Sequence, residues 1–115
     1  MKFKPLNVQN EFQPVDVSEW DPTAEAYARP LNAIEQIIFH NYMFDFFNEN
    51  LNFKTRFDAI FEAAKLILVD KSGAPLLTDA DRDAVWAASP IPLINILKAG
   101  TPTYNADNES DATRK

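Results

Sequence analysis

The placement of proline and glycine restricts this chain to short helices with clearly marked ends. Its eight prolines fall outside the segments with helical periodicity, or in the first turn of one, where a missing N–H costs nothing. Only two glycines occur, Gly73 and Gly100, and each lies where a turn or a helix end is expected. The chain is therefore predicted to be mainly α, a small helical domain of about four helices.

The ends of the predicted helices carry recognisable signals. Asn32 and Glu35 have the spacing of a capping box, and Gly100 has the position of a left-handed C-cap. The predicted helices run from Ala33 to about Glu49, from Phe53 to Val69, from Asp79 to Ala88, and from a cap at Ser89 to Gly100. In the second helix the residue four positions after Asp58 is Glu62, and the residue four positions after Glu62 is not basic. Ion pairs are therefore expected to contribute little there.

A short hairpin is predicted before the first helix. Val15 and Val17 alternate with polar residues, and alanine alternates with larger residues in the segment 24–29. An isolated hairpin is marginal in water, so this one is expected to pack on the helices.

The domain organisation follows from length and composition. A chain of 115 residues has room for one hydrophobic core. We expect a flexible N-terminal arm over residues 1–11 and a single helical domain over residues 12–100. The segment 101–115 is polar, with one large apolar residue, and is predicted to be a disordered tail.

The charge balance and the apolar runs exclude two classes of partner. The formal net charge is −6, and an acidic surface repels a phosphate backbone, so nucleic acid is not an expected partner. No apolar run reaches the roughly 18 residues of a membrane span, and the N-terminus lacks the apolar block of a signal peptide. We therefore expect no membrane partner and a cytoplasmic location.

Residues suited to catalysis or metal binding are scarce. The chain has no cysteine and a single histidine, His40, which has no serine close to it in sequence. Asp79, Asp81 and Asp83 have the spacing that opens an EF-hand loop, but the glycine and glutamate that such a loop needs are missing. The sequence therefore predicts a protein that is not an enzyme and holds no cofactor and no metal.

The first predicted helix is apolar around nearly all of its circumference. Aromatic and methionine side chains span about 200° of its C-terminal half, and one packed neighbour covers a narrower stripe. Part of this surface is therefore predicted to bind a client or a second copy of the chain, with Phe44 and Phe47 as the exposed pair. The predicted partner-binding residues are Phe44, Phe47, Phe39 and Met43.

The segment Leu66–Thr78, with the sequence LILVDKSGAPLLT, resembles the tail assembly chaperones of long-tailed bacteriophages. In that family a helix with an early basic residue, here Arg56, leads into a hydrophobic run, an Asp-x-x-Gly turn and a Thr-Asp helix start. Upstream, a hairpin leads through an Arg-x-Leu step, here residues 29–31, into the first helix. The resemblance covers about residues 12–100; the aromatic first helix and the Pro-x-Pro start of the last helix depart from it.

The resemblance implies a non-catalytic protein that binds the tape-measure protein and hands it to the tail tube protein as the tube assembles. Such a protein acts in the cytoplasm of the infected bacterium and is not expected in the mature virion. The family is often also made as a longer, frameshifted product, and the chain is open to homo-oligomer formation. Two other classes remain: an acidic decoy or inhibitor, which needs a compact negative face, and a virion connector, which needs a ring interface.

Overall fold

The computed structural model describes residues 12–101, in which a three-stranded antiparallel sheet lies beside four α-helices. The elements are β1 (Gln13–Val15), β2 (Ala26–Ala28), α1 (Ala33–Phe46), α2 (Phe53–Ile67), β3 (Leu68–Val69), a 3-10 turn (Asp79–Asp81), α3 (Arg82–Ala87) and α4 (Ile91–Gly100). The predicted mainly α fold with an N-terminal hairpin is confirmed. The predicted arm, and the predicted tail beyond residue 101, lie outside the described residues.

The sheet contains a strand that the sequence does not predict. β2 is the central strand: it pairs with β1 so that Val15 lies opposite Ala26, and with β3 so that Ala28 lies opposite Leu68. The predicted second helix, to Val69, is therefore two residues too long. The open edge of β2 pairs with the backbone directly after α2, which takes those two residues out of the helix.

The hydrophobic core lies where α2 meets α1, α4 and the sheet. Phe61, Ile67 and Ile96 are fully buried, and Phe39 of α1 belongs to the same cluster. Two small residues of α2, Ala63 and Ala64, are also fully buried, and their size lets neighbouring elements approach this helix closely. α2 is therefore the central helix of the domain, and its burial fixes where α1 and α3 lie.

The first helix is shorter than predicted. α1 ends at Phe46 and not near Glu49, because the next residues form a turn of their own. The N–H of Asn48 donates to the carbonyl of Asp45 at 3.1 Å, and the Asn48 side chain accepts from the N–H of Asn50 at 3.0 Å. An asparagine that bonds its local backbone in this way favours a turn over a helix.

The last two helices start later than predicted. The segment from Asp79 begins as a 3-10 turn, and α3 follows it from Arg82 to Ala87. In α4 the N-cap is Pro90, and Ser89 lies one residue outside it, with its hydroxyl accepting from the N–H of Ile91 at 3.2 Å. The predicted cap Ser89 is therefore one residue away from the observed N-cap, and α3 starts three residues after the predicted Asp79.

Gly100 is glycine for a different reason from the one predicted. Among the described residues Gly73 has a positive φ, of 91°, whereas Gly100 is the last residue of α4 and is no left-handed cap. A Cβ at Gly100 would overlap Cδ1 of Ile67 and lie 3.2 Å from its Cγ1 and 3.4 Å from Cε1 of Phe39. The glycine therefore lets the end of α4 pack directly on α2 and α1.

Replacing Gly100 by alanine should lower stability, although alanine is the better helix former. The gain in helix propensity is at most about 1 kcal/mol. Overpacking a fully buried site costs about 1–3 kcal/mol, and Ile67 has no exposed surface into which it could move. Thermal unfolding should show a lower Tm for Gly100→Ala, with the exposed Lys98→Ala change on the same helix as a control that leaves it unchanged. A Tm at or above that of the unchanged chain would contradict this packing.

Candidate protein-binding surface

The direction of α1 is fixed at its first turn. The Asn32 side chain accepts from the N–H of Glu35 at 2.9 Å, and the Glu35 carboxylate accepts from the N–H of Asn32 at 3.0 Å, which completes the predicted capping box. The same carboxylate pairs with the guanidinium of Arg29, whose Nε donates to the carbonyl of Leu66 at 2.8 Å. Arg29 therefore ties the start of α1 to the end of α2.

One side of α1 faces the core and the opposite side carries exposed aliphatic and aromatic side chains. We call this exposed set the α1 stripe; its members are Ile34, Ile37, Ile38 and Phe44. At about 100° per residue they fall within about 120° of arc, on the side of the helix away from Phe39. Two polar side chains, those of Asn41 and Asp45, are exposed within the same arc, so the stripe is apolar where the three isoleucines lie and mixed around Phe44.

The structure divides the four predicted partner-binding residues into two groups. Phe44 is 75% exposed and Phe47 is 67% exposed, so the predicted exposed pair is confirmed as exposed. Phe39 is 3% exposed and lies in the core, so its ring is not part of the surface that a partner can reach in this fold. Met43 is half-buried and packs against the core.

A second apolar surface begins where α1 ends. It is an open groove of about 430 Å³, which we call the aromatic groove, and it is lined by Phe46, Phe53, Arg56, Phe57, Ile60 and Trp86. Phe53 is 78% exposed and Trp86 is 54% exposed. The rings of Phe46 and Phe47 lie 5.0 Å apart, so Phe47 lies beside a wall of the groove.

α3 supplies one wall of the aromatic groove through Trp86. Its ring meets that of Phe57 edge to face at 4.8 Å, a favoured geometry for aromatic pairs. Arg82, one turn before Trp86, pairs with Asp58 at 3.0 Å and with Glu62 at 2.6 Å on α2. These contacts hold α3 against α2 and so position the tryptophan.

α2 forms ion pairs with residues after it in the chain, which the four-residue spacing considered in the sequence does not predict. Arg82 also contacts Asp79 at 3.1 Å, and Lys65 contacts the same carboxylate at 2.6 Å and that of Glu62 at 3.3 Å. The hydrogen bond from Lys65 is the main cause that lowers the pKa of Asp79, and the bond to Glu62 is the main cause that raises the pKa of Arg82. Two of these pairs join residues three positions apart, and the other three join residues 14, 20 and 24 positions apart, which a rule for neighbours on one helix does not detect.

Stability is expected to fall in acid. Hydrogen bonds lower the pKa of Glu35, chiefly through Arg29, and those of Asp79 and Asp70 below their usual values of 4.5 and 3.8. A folded-state pKa below the unfolded one means that the stabilisation is complete above the usual value and is lost as pH falls through the folded value. The Tm should therefore hold from about pH 7 to about pH 5 and decline below about pH 4.5. A Tm that rises on acidification would contradict these pairings.

Sequence reasoning misses most of the residues that form these surfaces. Ile34, Ile37 and Ile38 follow helical spacing on the side of α1 opposite Phe39. With Phe39 assigned to the core, their position around the helix could have identified them as exposed. The groove could not have been found in this way, because Trp86 reaches Phe57 from another helix.

Neither a metal-binding cluster nor a helix able to span a membrane occurs in the described part of the chain. Residues 12–101 contain no group of three His, Asp or Glu side chains able to hold a metal ion. Over the same range no helix is both long enough and apolar enough to cross a membrane. The chain matches no protein-family model, no curated protein and no solved structure.

Proposed function

We propose that this protein is a non-catalytic tail assembly chaperone of a long-tailed bacteriophage, which binds the tape-measure protein and promotes assembly of the tail tube. The observation that carries the proposal is the α1 stripe, a row of exposed apolar side chains on the side of a helix that faces away from the core. Exposed apolar side chains grouped on one side of a helix are typical of protein-binding sites. The resemblance of residues 66–78 to that chaperone family supplies the identity of the client.

The α1 stripe suits a helical client. Ile34, Ile37 and Ile38 recur at three- and four-residue spacing, the pattern by which one helix packs on another, and Phe44 lies two turns beyond Ile37. Burying a large apolar side chain gains about 1.5–3 kcal/mol, so all four members of the stripe are expected to contribute to offsetting the cost of association.

The acidic character of the chain supports the same role. A net charge of −6 keeps a small domain with exposed phenylalanines and isoleucines dispersed in water. Asp45 is exposed beside Phe44, whereas the one carboxylate near Ile34, Ile37 and Ile38, that of Glu35, is paired with Arg29. The protein therefore combines solubility with an apolar binding surface.

Two observations test the proposal together. The gene for this chain should lie directly upstream of one that encodes a very long, largely helical protein, and co-expression should raise the soluble yield of that protein. The purified chain should form a complex with it, and the assembled virion should lack the chain. The proposal would be overturned if this chain neither raised the soluble yield of the tape-measure protein nor formed a complex with it. If the chain were found in finished tails, it would be a virion connector.

A further inference from the structure

The aromatic groove contains a single polar residue, Arg56. Its other five lining side chains are aromatic or aliphatic, and its volume of about 430 Å³ lies at the small end of the roughly 300–1,000 Å³ of ligand sites. A space of this size and character suits one or two apolar side chains of a protein partner. The polar group in such a site decides which partner is accepted, because it must be satisfied when the groove is filled.

Arg56 is held in place with part of its guanidinium free. Its Nε donates to the carbonyl of Phe46 at 2.7 Å, and its Cζ lies 5.7 Å from the centre of the Phe46 ring and 5.8 Å from that of Phe53. None of the residues 12–101 accepts a hydrogen bond from its two Nη groups. The planar donors of arginine match the two oxygens of a carboxylate, and here they are already oriented by the backbone and the rings.

The absence of a carboxylate beside Arg56 sets it apart from the other arginines that the structure describes. Arg29 is paired with Glu35, and Arg82 is paired with three carboxylates. Arg56 forms no ion pair with any residue in the range 12–101, although the chain carries 17 acidic residues against 11 basic ones. Lys54, which lines the shallow depression beside the groove together with Arg82, Asp83 and Trp86, also lacks an ion pair in this range.

We infer that the aromatic groove binds a helical segment of the client in which a large apolar side chain lies one turn from an aspartate or glutamate, and that Arg56 pairs with that carboxylate. The apolar side chain fills the space between Phe53, Phe57 and Trp86, and the carboxylate occupies the free donors of the guanidinium. Charge complementarity selects this occupant: an apolar groove with one unpaired cation is satisfied by an apolar segment with one anion. The inference rests on the proposed function, since the partner is the client.

Matched peptides test this inference by calorimetric titration. The probe is a synthetic amphipathic helix of about 18 residues, long enough to be helical in solution, with a phenylalanine and a glutamate four residues apart. Two further peptides carry glutamine or lysine in place of that glutamate. The unchanged protein should bind the glutamate peptide about tenfold more tightly than the glutamine peptide, as expected for a charge-assisted pair.

Four variants assign the preference to its residues. Arg56→Gln should bring the glutamate and glutamine peptides to within about twofold of each other, and Arg56→Glu should favour the lysine peptide. Trp86→Ala should weaken the glutamate and glutamine peptides by the same factor, because it removes groove wall and no charge. Lys71→Gln, which removes a cation from the turn outside the groove, should keep the preference, and the Tm of each variant checks its fold.

The inference would be overturned if the unchanged protein bound neither the glutamate nor the glutamine peptide, or bound the two equally. It would also be overturned if the preference for glutamate survived Arg56→Gln or was removed by Lys71→Gln as well. A Trp86→Ala variant that binds as tightly as the unchanged protein would overturn it too. These are separable from failure of the proposed function. If the chain retains its tape-measure protein and Arg56→Gln retains it as tightly, the groove inference fails alone. If the unchanged chain does not retain that protein, the proposed function fails.

Discussion

Replacing Phe61 by alanine is expected to remove about 3–5 kcal/mol of stability, the usual cost of truncating a buried aromatic residue. Phe61 has no exposed surface and stacks on Phe57 with their ring centres 6.0 Å apart. The guanidinium of Arg82 lies 4.6 Å from the centre of its ring, so the same change also removes a cation–π contact and loosens the attachment of α3. Small domains have about 5–15 kcal/mol of stability in total, so the variant should lie close to unfolding.

Phe53 provides the matched control, because it is a phenylalanine on the same helix with most of its surface in solvent. Phe53→Ala should change stability by no more than about 0.5 kcal/mol. Thermal unfolding should place the Tm of Phe61→Ala at least about 10 °C below that of Phe53→Ala. Equal stability of the two variants would contradict the placement of α2 in the core.

The double variant Phe44→Ser, Phe47→Ser is expected to bind the client at least about tenfold more weakly and to remain folded. The rings are mostly exposed, so their loss removes little packing within the chain. Burial of each ring against a client contributes about 1.5–3 kcal/mol, and about 1.4 kcal/mol corresponds to a tenfold change in affinity. Affinity for the tape-measure protein and the Tm of the free chain are the two measurements.

Two controls make this result specific. Ile91 and Ile94 of α4 are exposed at 44% and 43%, so Ile91→Ser, Ile94→Ser removes apolar surface elsewhere and should leave the affinity unchanged. Phe39→Ser should destabilise the fold, since that ring is buried. If the double variant of Phe44 and Phe47 unfolds, both rings support the core. If it binds as tightly as the unchanged chain, the client lies on another surface.

Local signals in the sequence predict the helices well and their ends less well. The Asn32 and Glu35 pair identifies the start of α1, because a capping box is formed by residues three positions apart. β3 could not be predicted, because Leu68 and Val69 are buried and apolar, which fits the end of a helix as well as a strand. Only the nearby edge of β2 decides between them.

The binding surfaces show the same division between local and long-range information. The arc of aromatic residues on α1 indicates surplus apolar surface, and from it Phe44 and Phe47 are correctly predicted to be exposed. The aromatic groove depends on α3 packing against α2 through Arg82 and its carboxylates, 20 and 24 residues away in the chain. Charge and spacing within a single helix contain no information about that contact.

Methyl NMR of isoleucine side chains tests the central claim, that the outer side of α1 binds the client, most directly. Ile34, Ile37 and Ile38 lie on the α1 stripe, whereas Ile67 and Ile96 are fully buried and Ile91 and Ile94 are exposed on α4. On addition of the tape-measure protein, the methyl signals of the three stripe residues should shift or broaden, and those of the other four should remain in place. Perturbation confined to Ile91 and Ile94, or stripe signals that do not change in a complex that has formed, would contradict the claim.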